Sequence, residues 1–156
     1  MLKPRRSSFR TVPAVFPKEI VTLFCWYRIR ASVEHIQTDA APSFDGLPIG
    51  QATKHGDSIY LAQSPRDPET EELVSRDPAE QAEQVFQNIQ AILSAADSNC
   101  EDIVKATVYL TDLDDADAVN QVYREYVGEP FPARCAVQVD DLAGDMKVEI
   151  DIVAAA

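Results

Sequence analysis

The chain is poor in the residues that most often announce chemistry. Its two histidines, His35 and His55, stand at neither ligand nor triad spacing from any other candidate, and both read as surface residues of a strand or turn. Cysteine is odd in number and scattered. Cys25, Cys100 and Cys135 form no Cys-x-x-Cys pair, so neither a disulfide framework nor a zinc site is signalled and a reducing, cytoplasmic setting is favoured. Five glycines in 156 residues leave no Gly-rich loop to cradle a phosphate, and there is no Ser/His/Asp signature and no internal repeat. Long apolar runs are missing too. Residues 20–27 make up about a third of a membrane span. Pro17, Lys18 and Glu19 before that run, and Arg28 and Arg30 after it, make a poor signal peptide, although an Arg- and Ser-rich start also has the composition of a transit peptide.

Positive charge is scarce in a telling way. Of 14 Lys/Arg and 26 Asp/Glu, residues 1–32 take seven basic residues and only Glu19. Their net charge is +6, and residues 33–156 are left with −18. This break predicts a boundary near residue 33. Residues 1–32 read as a basic N-terminal extension, weakly ordered or not native to the domain, with Val33 readable as an alternative initiator. A body this acidic repels phosphate backbones and anionic lipid, so no nucleic-acid or membrane partner is expected. The carboxylates read as a solvating surface suited to a high-salt cytoplasm, where screening suppresses their mutual repulsion.

What is present is a regular alternation of elements. From Val33 the pattern reads strand, strand, strand, helix, strand, helix, strand, strand. Short strands are expected at residues 34–37 and 50–54, and a stronger one at 58–62 opened by the turn pair Gly56-Asp57. Residues 66–70 read as an exposed turn begun by Asp67-Pro68. Asp77-Pro78-Ala79-Glu80 has N-cap, N1 proline and N3 glutamate, the arrangement of a capping box. The following stripe Ala82, Val85, Phe86, Ile89, Ile92, Leu93 and Ala96 predicts a helix packed on a sheet. Residues 103–111 read as a strand. Asp114 or Asp115 opens a second helix with stripe Ala116, Val119, Val122, Tyr123 and Tyr126, stopped by Gly128 and Pro130. The run Asp112–Asp117 lacks the glycine and closing glutamate of a calcium loop and reads as acids at a helix N-terminus.

The last two strands, residues 132–137 and 147–154, each alternate apolar and polar residues, and each carries one charge a plain sheet would not need, Arg134 or Glu149. A guanidinium offers a fork of donors matched to a carboxylate, and a glutamate can accept a proton or orient a water. Together they point to a small anionic ligand. Alternation places Cys135 on the other strand face from Arg134, where it reads as a buried small apolar residue.

Phe131-Pro132-Ala133-Arg134 with Val148-Glu149-Ile150, supported by Asp102-Ile103-Val104-Lys105-Ala106-Thr107-Val108-Tyr109 and Val119-Asn120-Gln121-Val122-Tyr123, resembles the Rid family of reactive intermediate deaminases, also called YjgF. The resemblance covers residues 33–156. It implies an α+β, chorismate-mutase-like fold, a mixed six-stranded sheet with two helices packed on one face, assembled as a homotrimer with ligand clefts between subunits. It further implies hydrolysis of reactive 2-imino and enamino acids to 2-oxo acids and ammonia, with no cofactor and no metal. On the matching positions Arg134 would hold the substrate carboxylate, Glu149 would orient or activate water, and Asn120 would line the cleft.

Three departures bear on the cleft wall. Where the family commonly has Gly-Pro-Tyr, the chain has Leu47-Pro48-Ile49, so Ile49 replaces an aromatic hydroxyl. Where it has Ser-Gly-Gln-x-Pro, the chain reads Ala62-Gln63-Ser64-Pro65, one residue shorter, with Ser64 the candidate contact. The usual cysteine two residues after the arginine is Ala136, beside Cys135. Alternatives are a non-catalytic trimer that binds a small carboxylate as regulator or chaperone, a ribonuclease, which the charge of the domain disfavours, and an Arg134–Glu149 ion pair that only closes an interface. The acidic domain should hold its fold and oligomeric state better in molar potassium chloride than in dilute buffer, as read by thermal melting and light scattering; equal behaviour in both would contradict the high-salt reading.

Overall fold

The strands owe their placement to a two-residue alternation that greases one face of a single sheet. The computed structural model describes residues 33–44 and 46–156; the basic extension read at residues 1–32 lies outside them. The strands are β1 (Glu34–Ile36), β2 (Ala52–His55), β3 (Ser58–Gln63), β4 (Ile103–Leu110), β5 (Ala133–Gln138) and β6 (Val148–Ala155). The helices are α1 (Pro78–Ser94) and α2 (Ala116–Tyr126). Every expected element is present in the expected order, with ends shifted by a residue or two.

The sheet order is β1-β2-β3-β6-β4-β5. β4 and β5 run parallel and all other neighbours are antiparallel. The last strand therefore lies in the middle, between β3 and β4, and α1 and α2 are the crossovers that return the chain in a parallel sense. On β6, Val148, Ile150, Ile152 and Ala154 are buried against the helices, while Glu149, Asp151 and Val153 alternate to the other face and stay half-buried. The β2–β3 hairpin turns at Gly56-Asp57, where Gly56 takes φ +61°, a conformation that favours glycine.

The α1 stripe is buried as read except at Ala96, which lies past the end of the helix and is half-buried. Ala82, Val85, Phe86, Ile89, Ile92 and Leu93 are all sealed from solvent, and Val119, Val122 and Tyr123 of α2 join them. Phe86 is the joint between the helices. Its ring stands edge-on to Tyr123 at 5.5 Å and stacks on Tyr126 at 5.1 Å.

Three readings need correction. Asp77 accepts hydrogen bonds from the backbone N–H groups of Ala79 and Glu80, but its own N–H donates to Ser75 Oγ, so the reciprocal half of the capping box at Glu80 is not formed. The reciprocal box occurs instead at Asn99 and Asp102, ahead of β4. Cys135 is exposed rather than buried, because β5 is an edge strand and Cys135 lies on the face that no helix covers. The motif before Pro65 is not shortened. Counted back from Pro65, the sequence reads Leu61-Ala62-Gln63-Ser64-Pro65, with Gln63 two residues before the proline as in the five-residue motif, so two residues are replaced and none deleted.

Phe86→Ala should cost about 3–5 kcal/mol of unfolding free energy, since it removes a fully buried ring and the platform of two tyrosines. Urea melts check this, and a loss below about 1 kcal/mol would show that α1 and α2 are not joined through this ring.

Candidate active site

Arg134 is set by an edge strand and one helix face. Asn120, Tyr123 and Arg124 stand at i, i+3 and i+4 on α2, a spacing that stacks them beside β5. Arg134 Nη1 donates to Asn120 Oδ1 at 2.6 Å, and its guanidinium carbon lies 4.5 Å from the centroid of the Tyr123 ring. The ring face and the amide hold the guanidinium in one plane. Burial weakens its hold on its proton relative to an exposed arginine; the nearby Tyr123 opposes this and the like charge of Arg124 adds to it. The group stays cationic all the same. Among the described residues only the Nη1 bond is spent, which leaves a fork of donors for a carboxylate. They face a cavity of about 200 Å³ walled by Phe131, Pro132 and the α2 residues.

Glu149 lies elsewhere. Its cavity, about 360 Å³, is lined by Ile49, Ala62, Ser64, Arg66 and Met146 among others. Desolvation pushes its carboxyl above the usual glutamate value, and the like charge of Asp151 on the same strand face pushes it further in that direction. A carboxyl so placed keeps its proton to higher pH than an exposed glutamate and can pass one to or from a bound group. Ser64 Oγ and both amide atoms of Gln63 are buried without a protein partner, in a fold that otherwise pairs most of its buried polar side chains. Ile49 is exposed at the mouth, held on a loop that the Gln51 side chain clips together through bonds to Thr38, Ala41 and Pro42.

The two halves do not meet within one chain. Arg134 is in register with Ala106, whose side chain faces the helices, whereas Glu149 pairs with Tyr109 on the uncovered face. They line separate cavities. The ion pair between them is likewise not made within a chain: among the described residues the ion pairs are Arg76–Asp145 and Lys147–Asp115. Asn120 sits with Arg134, and Ile49 and Ser64 sit with Glu149. Cys135 and Ala136 line neither cavity, and the Cys135 thiol lies 3.8 Å from Thr107 Oγ1.

Sequence reasoning missed Tyr123, Gln63 and Arg66. Tyr123 was hidden in an apolar stripe, although its spacing of three from Asn120 signals a shared face. Gln63 could have been suspected as the one polar residue on the inward phase of β3. The Asp112 side chain accepts from the Asp114 N–H and Asp115 takes Lys147, in line with helix-terminal acids. Among the described residues no helix is long and apolar enough to cross a membrane.

Residues 47–156 match the family model described as Endoribonuclease L-PSP. A RutC family protein of Pyrococcus abyssi is 48% identical over 122 residues, 78% of this chain and 95% of that protein. The human 2-iminobutanoate/2-iminopropanoate deaminase is 40% identical over 120 residues, 76% of this chain and 87% of that protein. The crystal structure of RidA from an Antarctic Psychrobacter superposes with a TM-score of 0.74 at 44% identity, covering 79% of this chain and 99% of that one. The shared fold and these likenesses together place the chain in the Rid family.

Proposed function

We propose that the protein hydrolyses reactive 2-imino and enamino acids to 2-oxo acids and ammonia, in a cytoplasmic homotrimer whose clefts join the Arg134 half of one subunit to the Glu149 half of its neighbour. The observation that carries this reading is that one chain bears both halves of a carboxylate-and-water site on opposite sheet faces, each incomplete. The uncovered face and the exposed edge strand β5 leave room for a neighbour to complete them. The human relative's name supplies the reaction class.

The chemistry needs little more than positioning. The Arg134 fork takes the substrate carboxylate and fixes the C=N carbon beside Glu149. Glu149 takes a proton from water as its oxygen adds to that carbon and hands it to the nitrogen, giving a tetrahedral carbinolamine. Collapse of the carbinolamine forms the C=O bond and breaks C–N, releasing ammonia; one water is consumed and the carboxylate is regenerated. The carbon is electrophilic at the outset, so neither a covalent nucleophile nor a metal is needed.

A second reading, carboxylate binding without turnover, draws on one observation: Ile49 stands at the cleft mouth where relatives commonly offer a tyrosine hydroxyl. Freshly generated 2-iminobutanoate separates the two. Arg134→Ala should lower the catalysed rate of oxo-acid release at least about 100-fold, the loss of a charge-assisted bidentate contact and of the orientation it provides. Equal rates with and without Arg134 would contradict the deaminase, and Arg134-dependent binding without turnover would establish the second reading.

The pH dependence follows from Glu149. Its carboxyl sits above the reference of 4.5 through desolvation first and Asp151 second, so the rate should climb with pH along a limb above 4.5, and Asp151→Asn should move that limb down. The stability sign is the reverse of an ordinary ion-paired carboxylate. The folded state holds this proton longer than the unfolded one, so stability from Glu149 is present at low pH and is lost as pH rises through the raised value. Glu149→Gln should therefore gain on wild type in urea melts as pH rises above 4.5, and a constant difference would contradict the shift.

A further inference from the structure

The Glu149 cavity contains a cation that the reaction above does not use. Arg66 lines it, directly after Pro65, and the side chain is half-buried. Its Nη1 donates to the Glu71 carbonyl at 2.9 Å. Its Nη2 lies so close to Gly144 that a Cβ there would approach within 2.9 Å, and Gly144 holds φ +72°, so a glycine on the facing loop makes the room the guanidinium occupies. Among the described residues Arg66 has no carboxylate partner, in a chain with 26 Asp and Glu. A half-buried guanidinium left unpaired amid surplus carboxylate has a remaining donor edge to fill.

One further group points the same way. Ser64 Oγ is buried in this wall without a protein partner, which costs free energy unless a ligand or water meets it. Ile49 and Met146 supply apolar surface in the same cavity. The wall therefore offers methylene-binding surface together with hydrogen-bond donors. Two carboxylates also line it: Glu71, which accepts from Ser43 Oγ, and Glu149, which desolvation holds toward its protonated form.

We propose that Arg66, with Ser64 beside it, selects 2-imino acids whose side chain ends in an acceptor oxygen, a carboxylate or a carboxamide, over those with purely apolar side chains. This rests on the deaminase reading and names its substrate class. Arg66 binds the side-chain oxygen, while Arg134 of the neighbouring subunit binds the carboxylate next to the imine. A site with a donor built for that oxygen discriminates against the substrate lacking it, because the donor is then left unpaired.

The stable 2-oxo acid products serve as probes, by titration calorimetry on the full chain alongside hydrolysis of the matching imino acids generated in place. The wild type should bind 2-oxoglutarate, 2-oxoglutaramate or both at least about tenfold more tightly than 2-oxohexanoate, and Arg66→Met should bring that ratio close to one. Preference for the carboxylate alone identifies charge as the selected feature, and equal preference for carboxylate and amide identifies the oxygen. Should Arg66→Met fail to fold, Arg66→Lys, which keeps the charge and loses the fork, replaces it and should lower the 2-oxoglutaramate preference at least about threefold. Tight binding of 2-oxohexanoate, no binding of any of the three, or a preference that survives loss of the guanidinium would overturn the assignment. Hydrolysis of 2-iminobutanoate with no side-chain preference would overturn it while leaving the deaminase standing; side-chain selection without any hydrolysis would do the opposite.

Discussion

The two-residue period of a β-strand is the constraint on which this protein turns. β6 lies between β3 and β4 with one face sealed by α1, so Val148, Ile150 and Ile152 must point to the helices and Glu149 must point away. The same sheet carries Arg134 on the helix-facing phase of its edge strand. Neither side chain can change faces without a register slip that would bury the polar phase of the strand. The separation of the two charges is thus a property of the core, and it is this separation that the proposed cleft between subunits would bridge.

The electrostatics agree with this division. Arg134 is held by a neutral amide and a ring face, not by an acid, so its fork is not neutralised within the chain. Glu149 is raised by desolvation with only a like charge, Asp151, further perturbing it. Each group carries a desolvation cost that an opposite charge would relieve, and for Arg134 an anionic substrate supplies that charge. Phe86 ties that cost to stability, because the ring it supports, Tyr123, is the platform under Arg134. The Arg134 half of the site thus rests on a core contact between the two helices.

The elements themselves were legible because their signals are local. Pro78 after Asp77, the Phe86 stripe, the Gly56 turn and the alternation of residues 147–154 each specify an element within a few residues, and each is present. The site was legible only as residue types. Tyr123 reads as core from periodicity, and its role as a ring under a cation depends on β5 being brought alongside α2 by a crossover. Cys135 reads as buried because a free cysteine is usually a small buried residue, whereas it lies on the face of edge strand β5 that no helix covers. Gln63 stands in a quoted motif and Arg66 in none; both matter through what surrounds them, unpaired atoms for one and a cavity for the other, which are tertiary properties. That Arg134 and Glu149 fall on opposite faces was implicit in the alternation of each strand, but the sheet order was needed to relate one strand to the other.

Mixing two inactive variants tests the shared cleft most directly. Arg134→Ala and Glu149→Gln subunits, each without deaminase activity alone, are unfolded together and refolded at equal proportions, and hydrolysis of 2-iminobutanoate is measured. Clefts that draw Arg134 from one subunit and Glu149 from the next should be whole at about one quarter of sites in randomly mixed trimers, so activity should return to about that fraction of wild type. Refolded mixtures that are oligomeric and remain inactive would contradict a cleft shared between subunits.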